Sequence, residues 1–225
     1  MTILFATGRI RIVGGGAERS ARTLISKLAE KHRLFVFNVQ FCESSADNPI
    51  ENKNVRILDW SHDNVASVNI RPHHRKLLHI DAEAEKAFGD YADEVKPELI
   101  IVQYPPMIYQ RIKDLPHISF VRDLNYIRDY EHRSLLRKLY NLPFIARKRK
   151  QMILGLRSSD LVIANSKFMA DQLGLFNVNA EVVYPFIDET SYRESSSDIE
   201  DPITFVSANL DRHKGIDIFL EIAKA

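Results

Sequence analysis

Gly14-Gly15-Gly16-Ala17-Glu18 is a glycine run followed at once by a helical pattern. Three small residues let the backbone come close to a ligand. The first amides of a helix then face anything anionic, a phosphate above all. The competing reading is a tight strand-to-helix turn that binds nothing. The run is not the G-x-G-x-x-G of a dinucleotide site. The strand after it ends at Asn38-Val39-Gln40, without the acidic residue that would hold a ribose. It is not a P-loop either, because no Gly-Lys-Ser/Thr follows.

Other candidates lie where predicted strands give way to loops. Arg122-Asp123 follows the apolar run HISFV, and the carboxyl ends of parallel strands are where open α/β sheets bind ligands. A surface salt bridge or a helix cap explains the same pair. Asn165-Ser166 follows DLVIA. Ser166 is accounted for as the N-cap of the next helix, while Asn165 faces the same sheet edge, within reach of a ligand. Tyr184-Pro185-Phe186-Ile187-Asp188 ends a strand sharply, since proline removes a ladder donor, and it suits the exit from a domain. Lys214 stands beside Gly215 at another strand-to-helix turn, where a lysine pairs with phosphate as a point charge. His73, His74 and His79 have no Cys or carboxylate at metal-ligand spacing and read as surface or structural residues. No metal site and no Ser–His–Asp set emerges from spacing.

Residues 133–157 are different in kind. Arg133, Arg137, Lys138, Arg147, Lys148, Arg149, Lys150 and Arg157 interleave with leucines, Phe144, Ile145, Met152 and Ile153. Such a stretch suits an anionic membrane surface. In the competing reading the apolar stripe is core and the charges are a solvated face. Nucleic acid fits less well, since no aromatic stacking platform accompanies the charge.

These residues are positioned by short apolar runs alternating with amphipathic ones. The strands expected are Thr2–Thr7, Arg33–Val39, Val55–Leu58, Glu98–Gln103, His117–Val121, Asp160–Ala164, Glu181–Tyr184 and Ile203–Ser207. Several are nearly continuous Val, Ile, Leu and Phe, as strands buried on both faces must be. Helices are expected over about 17–31, 75–95, 134–157, 166–173 and from 215 onward, with Pro97 ending the second and Pro143 breaking or kinking the third. The alternation predicts an α/β fold with a doubly wound, Rossmann-like parallel sheet. Residues 1–188 are expected to form the first domain. Residues 189–201, polar and ending before Pro202, form a linker, and 202–225 open a second domain cut short. In 225 residues, 45% are hydrophobic and 27% charged, which suits a globular core. A net charge of +1 provides no global field for nucleic acid. The lone Cys42 excludes an internal disulfide. The first residues lack a signal-peptide pattern, and no window reaches the ~20 apolar residues of a membrane span. A cytoplasmic protein is expected, touching the inner face of the membrane if the basic stretch docks there.

In order, GGGAERSARTLISKLAEKHRLFVFN, ELIIVQYPP, SDLVIANSKFMADQL, VVYPFID and FVSANLDRHKGIDIFLEIAKA resemble the family 4 retaining glycosyltransferases of GT-B fold. The resemblance implies an acceptor-side Rossmann-like domain followed by the start of a donor-binding domain, with sugar transfer in the cleft between them and no metal or other cofactor. The donor substrate would be a nucleotide-sugar, and the acceptor a glycan, lipid or small molecule. Gly15 and Gly16 would line the cleft near the donor phosphates. Asp123 matches the aspartate of the family's His-Asp pair, and Lys214 the lysine on the donor diphosphate. Gly14, Glu18, Asn165 and Ser166 fall on the acceptor side of the cleft.

Two positions depart from the pattern. Arg122 stands where the family has a histidine, and Asn209 where an arginine partners the lysine. The family's paired-glutamate motif for the donor sugar has no counterpart here. The expectation is therefore a truncated, acceptor-side half of a transferase, inactive alone. The alternatives are one chain of a split enzyme, completed by a partner chain, or a non-catalytic saccharide-binding or regulatory module. Another nucleotide-binding α/β enzyme, such as an oxidoreductase or an epimerase, fits less well.

Overall fold

The computed structural model describes residues 1–8, 10, 16–40, 50, 52–61, 74–103, 115–122, 135–185 and 216–222. Its compact units are Met1–Pro185 and Phe186–Ala225. The first contains β1 (Thr2–Gly8), α1 (Gly16–Ala29), β2 (Arg33–Gln40), β3 (Val55–Ser61), α2 (His74–Val95), β4 (Leu99–Val102), β5 (His117–Val121), α3 (Leu135–Ser158), β6 (Leu161–Ala164), α4 (Lys167–Gly174) and β7 (Glu181–Val182). In the second, the described element is α5 (Ile216–Ile222). The expected linker 189–201 and strand Ile203–Ser207 lie outside the described residues.

The strands form one sheet of order β3-β2-β1-β4-β5-β6-β7, parallel throughout. Strand alternation explains its apolar runs. Ile3, Phe5, Leu34, Val36 and Ile101 pack with Ile25 and Ala29 of α1 on one face. Leu4, Ala6, Phe35, Phe37, Ile100 and Val102 pack with Ala84, Phe88 and Tyr91 of α2 on the other. Both faces of the central strands are thus dry, as a parallel sheet with helices on either side requires. Val121, Val162 and Ala164 extend the core beneath Met152 and Leu156 of α3 and Met169 and Leu173 of α4.

The amino end of the sheet is fastened by polar contacts. Asp160 accepts from the His117 backbone at 2.8 Å, and the Ser119 and Ser159 hydroxyls are 2.8 Å apart. The Thr2 backbone donates to Glu98 at 2.6 Å.

Two local expectations need correction. Of the break or kink expected at Pro143, the break does not occur, since α3 runs from Leu135 through it to Ser158. One missing donor is tolerated where packing carries the helix: Ile145, Met152 and Leu156 are all buried. The strand expected to reach Tyr184 stops at Val182, although the Val183 amide still donates to the Ala164 carbonyl at 2.9 Å. Pro185 lacks a donor, and a short edge strand presents little unpaired backbone. Pro97 does end α2, after Lys96 in the left-handed conformation (φ 49°).

Candidate functional site

From β1 the chain builds outward to β2 and β3 on one side and to β4 through β7 on the other. The connections leave β1 and β4 in opposite directions, which opens a crevice at their carboxyl ends. In open α/β sheets this is the ligand position. The candidate residues at this edge come from β1, β4, β5, β6 and the start of α1.

The path out of β1 is pinned by buried polar contacts. Ile10 is fully buried. Its amide donates to Asn38 Oδ1 at 3.0 Å, and its carbonyl accepts from Arg22 Nε at 2.9 Å. Asn38 is itself fully buried and donates through Nδ2 to Asp59 Oδ1 at 2.8 Å. Asn38 therefore occupies a dinucleotide fold's ribose-binding region as a structural anchor, holding the chain at Ile10 just past β1. Gly16 is the first residue of α1 and is exposed, and a Cβ built there meets no atom within 4 Å. Packing thus leaves open space at Gly16, where a methyl group would intrude on anything lying against the helix start.

Arg122 lies one residue past β5. Phe120 packs on the α1 face, so alternation returns Arg122 to that side. There it feels the charge of Glu18 in the first turn of α1. Burial pushes the Arg122 guanidinium below its ordinary range, and the Glu18 carboxylate partly offsets that shift. Asn165 joins from the end of β6, donating through Nδ2 to the Arg122 carbonyl at 2.9 Å. Its amide hydrogen-bonds the Val121 carbonyl at 3.3 Å. Ser166 caps α4, its Oγ accepting from the Met169 amide at 3.2 Å. The structure therefore brings Glu18, Arg122 and Asn165 together and gives Ser166 a capping role. Gly14, Gly15, Asp123, Asn209 and Lys214 lie outside the described residues.

Gln103, absent from the sequence-derived candidates, lies one residue past β4 at the crevice, its amide donating to the Ala6 carbonyl at 2.8 Å. Ile101 packs toward α1, so Gln103 projects to the same side as Arg122. Its Nε2 is buried without a hydrogen-bond partner. The only sequence signal was a polar residue closing the apolar run LIIV. Among the described residues no group of His, Cys, Asp and Glu could hold a metal ion.

Residues 14–191 match the model of Glycosyltransferase Family 4, and the chain belongs to that family. No curated protein matches the sequence. Among solved structures, sucrose-phosphate synthase from Thermosynechococcus elongatus superposes with a TM-score of 0.57 at 15% identity, covering 82% of this chain and 47% of that one. A variant of Os79 from O. sativa, in complex with UDP, gives 0.53 at 11% identity, covering 90% and 57%. TcCGT1, also in complex with UDP, gives 0.51 at 11%, covering 88% and 53%. At these identities the likeness is one of fold, the Rossmann-like half of a GT-B glycosyltransferase. The chain spans about half the length of the structures it matches.

Proposed function

We propose that this chain is the acceptor-side half of a retaining glycosyltransferase, which moves a sugar from a nucleotide-sugar to a glycan, lipid or small-molecule acceptor. The observation carrying this is the convergence of Arg122, Glu18 and Asn165 on the carboxyl edge of the sheet, beside the open helix start at Gly16. Membership of Glycosyltransferase Family 4 and the UDP-bound neighbours support the class of donor.

Sugar transfer breaks the anomeric carbon–phosphate oxygen bond and leaves a nucleoside diphosphate. By the family's pattern, Gly15 and Gly16 are the glycines near the donor phosphates, Lys214 matches the lysine on the diphosphate, and Asn209 stands where a second cation usually does. A lone carboxylate at the start of α1 would oppose a diphosphate there. Arg122 offsets it, so the helix end keeps its attraction for anions while Glu18 stays able to accept hydrogen bonds from acceptor hydroxyls. Asn165 holds the Arg122 backbone in place. Asp123 would orient Arg122 or the acceptor, and Gly14 and Ser166 would complete the acceptor-side wall. The donor sugar would be gripped by residues outside this chain, in a longer product or on a partner chain, so the chain by itself would turn nothing over.

The test is release of nucleoside diphosphate from a panel of nucleotide-sugars. The 225-residue chain alone should release none above a Lys214→Ala control. The complete enzyme should, with Lys214→Ala depressing kcat and not only KM, because diphosphate charge grows toward the transition state. Turnover by the chain alone, or an unchanged kcat in Lys214→Ala, would overturn the assignment.

A further inference from the structure

Helix α3 carries seven cations, Arg137, Lys138, Arg147, Lys148, Arg149, Lys150 and Arg157, and not one Asp or Glu along Leu135–Ser158. Ile145, Met152 and Leu156 face the core. On a helix of 100° per residue, the exposed positions Leu139, Leu142, Pro143, Ala146, Arg147, Lys150, Leu154 and Arg157 share an outward arc of roughly 140°. Leu139 is 59% exposed, Leu142 46% and Leu154 50%. A solvated helix face does not need three leucines, and a core stripe would not expose them.

Arg157 is tied to the fold, donating to the Phe176 carbonyl at 2.7 Å, and Arg149 lies 6.0 Å from the Phe176 ring. Arg147 and Lys150 are exposed and have no acidic partner among the described residues. The outward arc is therefore apolar at three points, cationic between them, and without a compensating acid on its own helix. No described helix is long and apolar enough to cross a membrane. The remaining arrangement with this chemistry is a helix lying in the headgroup plane, leucines inserted and cations against lipid phosphates. A protein partner fits less well, because lysine is depleted in the core of protein interfaces. Nucleic acid leaves the leucines unused.

We propose that the outward face of α3 docks this chain on an anionic membrane surface. The docking is independent of the transferase assignment. It would bring a membrane-borne acceptor within reach but does not require one.

The test is sedimentation of the purified 225-residue chain with vesicles of phosphatidylcholine alone or mixed with phosphatidylserine. The chain should bind the mixed vesicles, weaken as salt rises, and stay in the supernatant with neutral vesicles. Arg147→Glu with Lys150→Glu should cut the partition coefficient by roughly tenfold or more. Leu139→Ser with Leu142→Ser and Leu154→Ser should remove the binding that survives added salt. All five positions are exposed, so both variants should melt as the wild type does, and a matching thermal transition makes any loss of binding a surface effect. No binding to mixed vesicles, equal binding to neutral ones, or unchanged binding by both variants overturns the proposal. So does a chain that binds duplex DNA and not vesicles, or one whose exposed leucines hold a dimer in solution.

Discussion

Arg122 is charged at neutral pH, yet its surroundings disfavour the charge, and Glu18 repays only part of the cost. Two substitutions should therefore move stability in opposite directions. Arg122→Met keeps an unbranched stem and removes the desolvated guanidinium, and it should raise the stability of the Met1–Pro185 unit. Glu18→Gln leaves Arg122 without that offset. Exposed pairs are worth a few tenths of a kcal/mol and fully buried ones several, so a partly buried pair falls near ~1–2 kcal/mol. Some of this loss, roughly 0.3–1 kcal/mol, belongs to the carboxylate's interaction with the α1 dipole and survives when Arg122→Met is already in place. The double variant should thus show a coupling of about 1 kcal/mol. In a unit of this size each kcal/mol moves the melting temperature by roughly 2–4 °C. The assay is calorimetric melting of the wild type, both single variants and the double variant at neutral pH. If the two changes simply add, Glu18 and Arg122 do not act as a pair; if Arg122→Met melts lower than wild type, the guanidinium is not a net cost; either result makes the cleft electrostatics described above wrong.

Gly16→Ala should leave the melting temperature unchanged or raise it slightly, since the added Cβ meets nothing within 4 Å and alanine loses less entropy in a helix. In the complete enzyme the same change should raise the Kd for nucleoside diphosphate, read by calorimetric titration; an unchanged Kd would make Gly16 a glycine without a ligand. Asn38→Ala strands the buried Ile10 amide and removes the bond to Asp59, and should lower stability by about 1–3 kcal/mol in urea titrations. Burial raises the Tyr91 pKa, with Arg56 opposing and Glu94 adding to the shift. Because the raised value belongs to the folded state, this contribution is full below the unfolded value of about 10 and is lost as pH climbs above it. Tyr91→Phe should flatten that alkaline fall in stability, measured by denaturant midpoint against pH, and it also removes a buried hydroxyl with no partner.

The sheet was legible because its strands are buried on both faces. TILFAT, RLFVFNV and ELIIV admit few other structures, and their alternation with amphipathic segments implies parallel pairing. The Ser166 cap was equally plain, a serine directly before an apolar periodic segment. Pro143 leaves α3 unbroken because helix propensity is local, whereas α3 is held by what it covers. The role of Asn38 was hidden for a related reason. Its partners, Ile10 and Asp59, lie on other segments, and only the register of β1, β2 and β3 aligns them. The pairing of Glu18 with Arg122 was also invisible, since it depends on β1 and β5 both flanking β4. Family resemblance placed both residues near a cleft, but it carried no expectation of an arginine at position 122.

An unpartnered buried polar atom does not by itself mark a site. His117 Nε2 is also unpartnered, and His117 opens β5 at the amino end of the sheet, far from the crevice. What distinguishes Gln103 is position: it follows β4 directly, beside β1, on the side where Arg122 feels the charge of Glu18. Hydrophobic burial drives the fold, and neither residue contributes much to it. A desolvated guanidinium and an orphaned carboxamide both subtract from stability. Their cost falls at the one edge where the topology opens a crevice, and a hydroxyl-rich acceptor would supply the carboxamide's missing acceptor and hydrogen bonds to Glu18. Gln103→Leu provides the discriminating case. It should raise the melting temperature by relieving the orphan, and in the complete enzyme it should raise the acceptor KM while leaving the donor KM unchanged. A gain in stability with both KM values unaltered would make Gln103 a packing defect and remove it from the cleft.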